Sequence, residues 1–363
     1  MYLRVFTFAS INIDEVYTVP HITRPGEEIS STRREKHAGG KGANASVAAV
    51  RAGAQVHMAG LIGRDGLWVR DILEKTGVNV DEVKVLEDTS TGRAVIQVDK
   101  QGENAIFLYP GANHRLTKED AQRAFSQCIK GDWLLLTNET TAVSDAIEYA
   151  HSQEMQILWN PAPMHSNMMA AKKLMDLVDV LVLNKTELTE LAKQIDSINV
   201  DSFHNDVLGL ARQIMNHVHS RVIIVTLGSD GSVGLVRRPQ VNAHSILVSS
   251  ESASTPTNAT TEESDILEIR LECAPVPKEM IKDTTAAGDT WIGYFIAELA
   301  RVQSNSPESI GSLATLTPAM VNQAMQIATY ASGITVTRMG AIPSIPERAE
   351  AEAFFKSQKL QPS

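Results

Sequence analysis

Residues 282–293 read KDTTAAGDTWIG, with two acids, Asp283 and Asp289, flanking a run of small residues. Directly behind them Trp291, Ile292, Phe295, Ile296 and Leu299 recur at helical spacing, which predicts a buried helix beginning near Gly288. The first N–H groups of a helix lack intrahelical partners and carry partial positive charge, so that end suits an anion. Asp289 would serve there as an ordinary N-cap. The preceding Ala286, Ala287 and Gly288 point to another use, because small residues leave room for a group as bulky as a phosphoryl. A carboxylate beside an anion hole accepts a proton from a nucleophile while the N–H groups hold the charge that develops.

The flanking chain supplies a frame. YLRVFTFASI, DWLLLTNE, MQILWNP, VDVLVLNKTE and RVIIVTLGSDG each read as a buried strand, most of them ending in polar residues. NASVAAVRAGA (closed by Gly53), VSDAIEYAHSQ and AAKKLMDLV read as helices. Strands alternating with helices predict an α/β fold whose mainly parallel sheet is covered on both faces. Ligands bind beyond the carboxyl ends of such strands, where the chain places Glu139, Asn160, Asn184, Glu187 and Thr226. TGRAVIQVDKQGENAIFLYPGAN alternates over two runs joined by KQGEN, a hairpin pattern. With IDEVYTVPHITRPGEEISSTRREKH it is expected to form a small antiparallel sheet, either surface decoration or a lid over the site. Residues 249–264, SSESASTPTNATTEES, have no apolar anchors and read as a mobile insertion.

A second glycine-rich stretch, HAGGKGANAS, occupies residues 37–46. Gly39, Gly40 and Gly42 permit close backbone approach to a ligand, and Lys41 and Asn44 add a cation and an amide at a helix start. It is not a Walker A loop, since Gly42 follows Lys41. Taken alone, a glycine turn before a helix explains it equally well. The 363 residues suffice for one large or two ordinary domains. A net charge of −10 without a Lys/Arg run argues against nucleic acid and anionic membranes as partners. Cys128 and Cys273 fit no zinc pattern and read as reduced thiols of a cytosolic chain. The N-terminal apolar run ends at Asp14, too short for a membrane span and without a signal-cleavage pattern. The sequons at Asn44, Asn138, Asn184 and Asn258 then read as chance matches.

Together these stretches resemble the ribokinase (PfkB) family of carbohydrate kinases. GGKGANASVAAVRAG with LIGRDG is similar to the family's first signature, and DTTAAGDTWIG to its second. SINIDEVYTVP, GENAIFLYPGAN, NPAP, LNKTEL, VTLGSDG and TRMGAIPSIP stand in the family's order, so the likeness runs over residues 3–346. The resemblance implies a three-layer α/β/α kinase domain over residues 1–350, lid segments near 13–36 and 92–113, and a C-terminal tail over 351–363. It implies transfer of the γ-phosphoryl of ATP to a sugar hydroxyl, here expected to be O5 of D-ribose, with Mg²⁺ and activation by K⁺. Asp289 then matches the base, and Ala286, Ala287 and Gly288 the anion hole. Asn12, Asp14, Gly39, Gly40, Lys41, Gly42, Asn44 and Glu139 match sugar contacts, together with Asp289. Asn184, Thr226, Leu227, Gly228, Ser229, Asp230, Gly231 and Thr329 match ATP contacts, with Gly288 and Asp289 again. Asn184 and Glu187 match positions near Mg²⁺. Asp283, Thr285, Thr335, Arg338, Gly340 and Ser344 match the K⁺ loop, several through backbone carbonyls.

A homodimer through the lid sheet is implied, as is a cytoplasmic address, with the nucleus a second one in a eukaryote. Tyr294 and Lys282 depart from the family, which usually has a small and an apolar residue at those positions. Fructose, a deoxysugar acid, adenosine and pseudouridine are the alternative acceptors. A catalytically idle sugar-binding protein is the alternative class. Asn12, Asp14, Lys41, Asn44 and Glu139 favour ribose, and the retained Asp289 argues against the idle protein.

Overall fold

The computed structural model describes residues 3–164, 172–238, 265–305 and 316–359. The expected insertion at 249–264 lies outside them. The strands are β1 (Val5–Phe8), β2 (Asn12–Thr18), β3 (Arg33–Gly39), β4 (Val56–Gly63), β5 (Asn79–Leu86), β6 (Gly92–Val98), β7 (Asn104–Tyr109), β8 (Trp133–Thr137), β9 (Gln156–Asn160), β10 (Val180–Asn184), β11 (Val222–Thr226), β12 (Ser232–Arg237) and β13 (Ile266–Leu271). The helices are α1 (Lys41–Arg51), α2 (Leu67–Lys75), α3 (Lys118–Ala124), α4 (Val143–Ser152), α5 (Lys172–Met175), α6 (Lys185–Ala192), α7 (Val207–His217), α8 (Ala287–Ser304), α9 (Pro318–Thr335) and α10 (Arg348–Lys359). AAKKLMDLV thus contributes the short α5, seen from residue 172 onward.

Nine strands form the main sheet in the order β13-β12-β11-β10-β9-β8-β1-β4-β5. Only β12 runs against its neighbours. Each central strand is mostly apolar because both faces are covered. In β8, for example, Leu135 joins a core with α1, α8 and α9, while Leu134 and Leu136 join one with α3, α4, α6 and α7. The result is the expected three-layer α/β/α arrangement. From β1 the chain builds outward through β4 on one side and later through β8 on the other, so the strand order reverses between β1 and β8. A crevice forms at such a switch point.

The second sheet has the order β3-β2-β6-β7. The expected antiparallel sheet is instead mixed, since β2 and β6 pair in parallel from Asn12↔Gly92 to Thr18↔Val98. Two hairpins, β2/β3 and β6/β7, leave the main body side by side and in the same direction, so their first strands meet in parallel. The C-terminal residues also differ from expectation. Residues 351–359, read as tail, belong to α10, whose Phe354 and Phe355 pack on Tyr330 of α9.

α1 and α8 pack at short range. A Cβ on Gly293 would lie 2.4 Å from Ala45 O and 2.5 Å from Ala48 Cβ. The neighbouring Tyr294 is fully buried, and its hydroxyl donates to Pro346 O at 2.8 Å. One turn on, the Glu298 carboxylate accepts from Arg301, Gln323 of α9 and Arg348 of α10. Burial by itself would raise its pKa, but the two guanidinium groups outweigh that and hold it down at about 2. Gly293→Ala is expected to lower unfolding stability by about 1–3 kcal/mol, the usual scale for overpacking, and to lower turnover further by moving α8 off α1. Denaturant unfolding and turnover, measured side by side, check this; unchanged values would remove the tight contact from the argument.

Candidate active site

The site is assembled at the switch point. From β1 the chain turns through Ala9, Ser10 and Ile11 into β2, where Asn12 and Asp14 project to one face. Gly39 ends β3 directly opposite Asn12, and Gly40 leads into α1 with φ 96°. The sequence assigned these glycines to ligand approach. In the structure each also faces the protein's own atoms, side chain at Gly39, backbone at Gly40 and both at Gly42. A Cβ at Gly39 would stand 2.0 Å from Asp14 Oδ2, one at Gly40 2.8 Å from Asn12 N, and one at Gly42 2.2 Å from Ala9 Cβ. Their absence lets α1 seat its first turn on the β1–β2 corner. Glu139, beyond β8, accepts from Ser10 Oγ and from Lys41 N. Asn44 Nδ2 donates to Asp289 Oδ2 at 2.8 Å, joining the two signature stretches 245 residues apart.

Asp14, Glu139 and Asp289 thus share one cation, Lys41, on which Glu187 also acts. Burial, then repulsion from Glu139 and Asp289, pushes Asp14 from 3.8 to about 7 against the pull of Lys41. Burial also raises Asp289, with Lys41 and Asn44 opposing. Asp289 in turn raises Lys41, against the effect of burial. A carboxylate with a raised pKa beside a held cation is the arrangement of a general base.

At the head of α8, Ala286 adopts φ 60°, a left-handed conformation that a Cβ disfavours. Ala287 N–H turns back to Thr284 O at 3.2 Å. The N–H groups of Gly288 and Asp289 have no protein partner among the described residues. Asp289 is the third residue of the helix, and its carboxylate goes to Asn44 rather than capping. Asp283 is separate. It accepts from Thr285 N and Gly340 N, both at 2.9 Å, and so ties two loops together. Burial would raise Asp283, but these bonds prevail and its pKa is lowered. Thr335 and Ser344 are fully buried, and their hydroxyls donate to main-chain or neighbouring oxygens. Arg338 pairs with Glu350. These side chains are thus committed to the protein frame.

Behind the head of α8 lies a cleft of about 600 Å³. Asn184, Thr226, Gly228, Ser229 and Gly231 line it, as do Ala287, Gly288 and Thr329. Leu227 packs against the core instead, and Asp230 is exposed outside the lining. A Cβ on Gly228 or Gly288 would meet no protein atom within 4 Å, so these two glycines keep ligand space open. Asn184 and Glu187 form a capping box at the start of α6. Burial raises the Glu187 pKa, against bonds from Asn184 N–H and Asn160 and the charge of Lys41. No group of three or more His, Cys, Asp or Glu able to hold a metal occurs among the described residues. Asn184 and Glu187 carry hard oxygen atoms of the type that Mg²⁺ takes together with water and phosphate.

The sequence missed the apolar wall of this cleft: Ala274, Val276 and Ile281 from a loop, with Trp291 from α8. It also missed Ser332, Gly333 and Val336, which with Thr329 follow a helical i, i+3, i+4, i+7 spacing along α9. That spacing was the available signal. Ser10 and Asn113, both buried behind the sugar-side residues, were missed as well.

The pfkB family carbohydrate kinase pattern matches residues 3–250 and 268–348, and the chain belongs to that family. Within it the similarity to ribokinases runs along the whole chain. A ribokinase of Haemophilus influenzae is 29% identical over 351 residues, covering 96% of either chain. One of Schizosaccharomyces pombe is 31% identical over 333 residues, covering 88% of this chain and 87% of its own. The crystal structure of ribokinase from Cryptococcus neoformans var. grubii in complex with ADP superposes with TM-score 0.71 at 30% identity, covering 97% of this chain and 99% of its own.

Asp14 makes a pH prediction. Folded, it holds its proton to about pH 7; unfolded, only to about 3.8. Between those values the native state binds more protons, so stability falls as pH rises, and the full penalty is present above pH 7. Asp14→Asn should melt above the wild type at pH 8, the gap should close toward pH 4, and the variant should lose sugar affinity. Calorimetry at both pH values checks the sign.

Proposed function

We propose that the chain is an ATP-dependent ribokinase that transfers the γ-phosphoryl of ATP to O5 of D-ribose, giving D-ribose 5-phosphate and ADP. The observation that carries this reading is Asp289, bonded to Asn44 on the sugar side and standing at the head of the helix that walls the nucleotide cleft. The full-length similarity to ribokinases supports it, as does the ADP complex of the Cryptococcus enzyme.

Ribose would lie among Asn12, Asp14, Lys41, Asn44 and Glu139, with O5 toward Asp289. Asp289 takes the O5 proton as O5 bonds to the γ-phosphorus and the bond to the bridging oxygen breaks, leaving ADP. The free N–H groups of Gly288 and Asp289 hold the charge on the transferring group, and Lys41 adds a cation. Asn184 and Glu187 would hold Mg²⁺, which when bound would supply charge neutralisation of the phosphates. K⁺, in the loops tied by Asp283, would fix the position of the α8 head. The lid strands exclude water that would otherwise accept the phosphoryl. Strand β7 lies at the lid's edge and exposes Ile106, Phe107, Leu108 and Tyr109, with Phe107 at 59%. A second copy covering this patch would give the homodimer.

Asp289→Asn is expected to reduce turnover by about 100-fold or more, the scale of a general base, while ATP still binds. Near-normal turnover would sink the role. A panel of ribose, fructose, deoxysugar acids and nucleosides, assayed for ADP release with and without K⁺, should favour ribose and fall when K⁺ is replaced by choline. Phe107→Glu should give a monomer by light scattering; an unchanged dimer would place the interface elsewhere.

A further inference from the structure

Asn113 stands just beyond the lid, after β7 and Pro110, and is 1% exposed. Its side chain makes three hydrogen bonds. Ile11 N donates to Asn113 Oδ1 at 3.0 Å, and Asn113 Nδ2 donates to Ile11 O at 3.2 Å and to Asn12 Oδ1 at 2.7 Å. The order of these bonds removes any choice of orientation. A backbone N–H can only donate and a backbone carbonyl can only accept, so Ile11 fixes which end of the Asn113 amide is oxygen. The remaining N–H of Nδ2 must then find an acceptor, and it finds Asn12 Oδ1. That contact turns Asn12 Nδ2 away from Asn113. Among the described residues Nδ2 of Asn12 has no partner.

We infer that Asn113 is a positioning residue that sets the polarity of the sugar site: through it, Asn12 presents its Nδ2 donor to the acceptor substrate. This rests on the ribokinase reading above. It complements the neighbouring side chains, because Asp14 and Glu139 offer carboxylate oxygens, and a sugar hydroxyl both donates and accepts. A site of carboxylates alone would leave the hydroxyl oxygens without donors on this side. The pair also sits where both lid strands root. A Cβ on Gly92, the first residue of β6, would stand 2.2 Å from Asn113 Nδ2 and 2.3 Å from Asn12 Oδ1. Asn113 N–H bonds Pro110 O at the exit of β7, and Thr141 N–H bonds Asn113 O at 3.4 Å. The amide that fixes Asn12 is thereby held by the lid's root and by the loop that follows Glu139.

Asn113→Asp tests this. The carboxylate keeps the bond from Ile11 N but has no proton for Asn12 Oδ1, so the Asn12 amide reverses and presents oxygen to the sugar. KM for D-ribose should rise about 10- to 100-fold, as when a site built to bond a hydroxyl loses its partner, with kcat and KM for ATP within about threefold. In the double variant Asn12→Ala/Asn113→Asp, the second change should add nothing to the first. Additive losses, an unchanged KM for ribose, or an equal rise in KM for ATP would overturn the inference. If Asn113→Asp fails to fold, Asn12→Asp keeps the bond from Asn113 yet presents only oxygen. It should raise KM as much as Asn12→Ala does, and an unchanged KM would reject the donor role. ADP release by the wild type with ribose is measured first. If another sugar in the panel is preferred, the same cycle is run with that sugar, so a wrong acceptor and a wrong role for Asn113 give different results.

Discussion

The hydrogen bond from Asn44 to Asp289 depends on how closely two helices approach, and the rest of the site depends on that bond. α1 starts the sugar side and α8 starts the phosphoryl side. They meet where Gly293 faces Ala45 and Ala48, with too little room for a single added carbon. Small residues at a crossing let backbones approach to a distance that branched side chains forbid. The Glu298 cluster fixes the same helix farther along by tying α8 to α9 and α10. Asp289 is therefore held by rigid elements, while its environment raises its proton affinity.

This precision carries an electrostatic burden. Burial in the crevice, then repulsion from Glu139 and Asp289, drives Asp14 to about 7 despite Lys41. A structural acid would be relieved by pairing, as Glu298 is by two arginines. The site leaves Asp14 unrelieved. Groups kept in unfavourable states at a site are stabilised by what binds there. Sugar hydroxyls donating to Asp14 would lower this penalty, which couples ligand binding to stability.

Most of the fold was legible because the central strands are buried on both faces and the helices between them are periodic. YLRVFTFASI and RVIIVTLGSDG have no other use in a chain of this composition. DTTAAGDTWIG was legible because a carboxylate and small residues at a helix head suit an anion, whereas HAGGKGANAS taken alone read equally as a glycine turn. Three things were not legible, each for a physical reason. The parallel pairing of β2 with β6 joins segments far apart in sequence, and alternation does not encode the direction of a partner. The apolar wall of the cleft is made of ordinary residues, Ala274, Val276 and Ile281, whose role comes only from position. The ending of the chain as α10 follows from packing on Tyr330 and from Arg348 reaching Glu298, and neither contact has a local sign.

The glycines show most clearly what a motif conceals. In HAGGKGANAS and in the segments around Gly228 and Gly288 they look alike in sequence. Gly39, Gly40 and Gly42 face the protein's own β1–β2 corner, whereas Gly228 and Gly288 face open space. A methyl group added to the first set would push α1 off the corner and carry Lys41 and Asn44 with it. A methyl group added to the second set would disturb no protein contact and would occupy part of the nucleotide cleft. One residue type thus does two jobs, building the site and keeping it clear. The same division holds for the amides: Asn113 spends every bond on the backbone and on Asn12, which leaves Asn12 with its donor free. In the role inferred for Asn113, the group that Asn12 presents is set from the backbone of Ile11 outward.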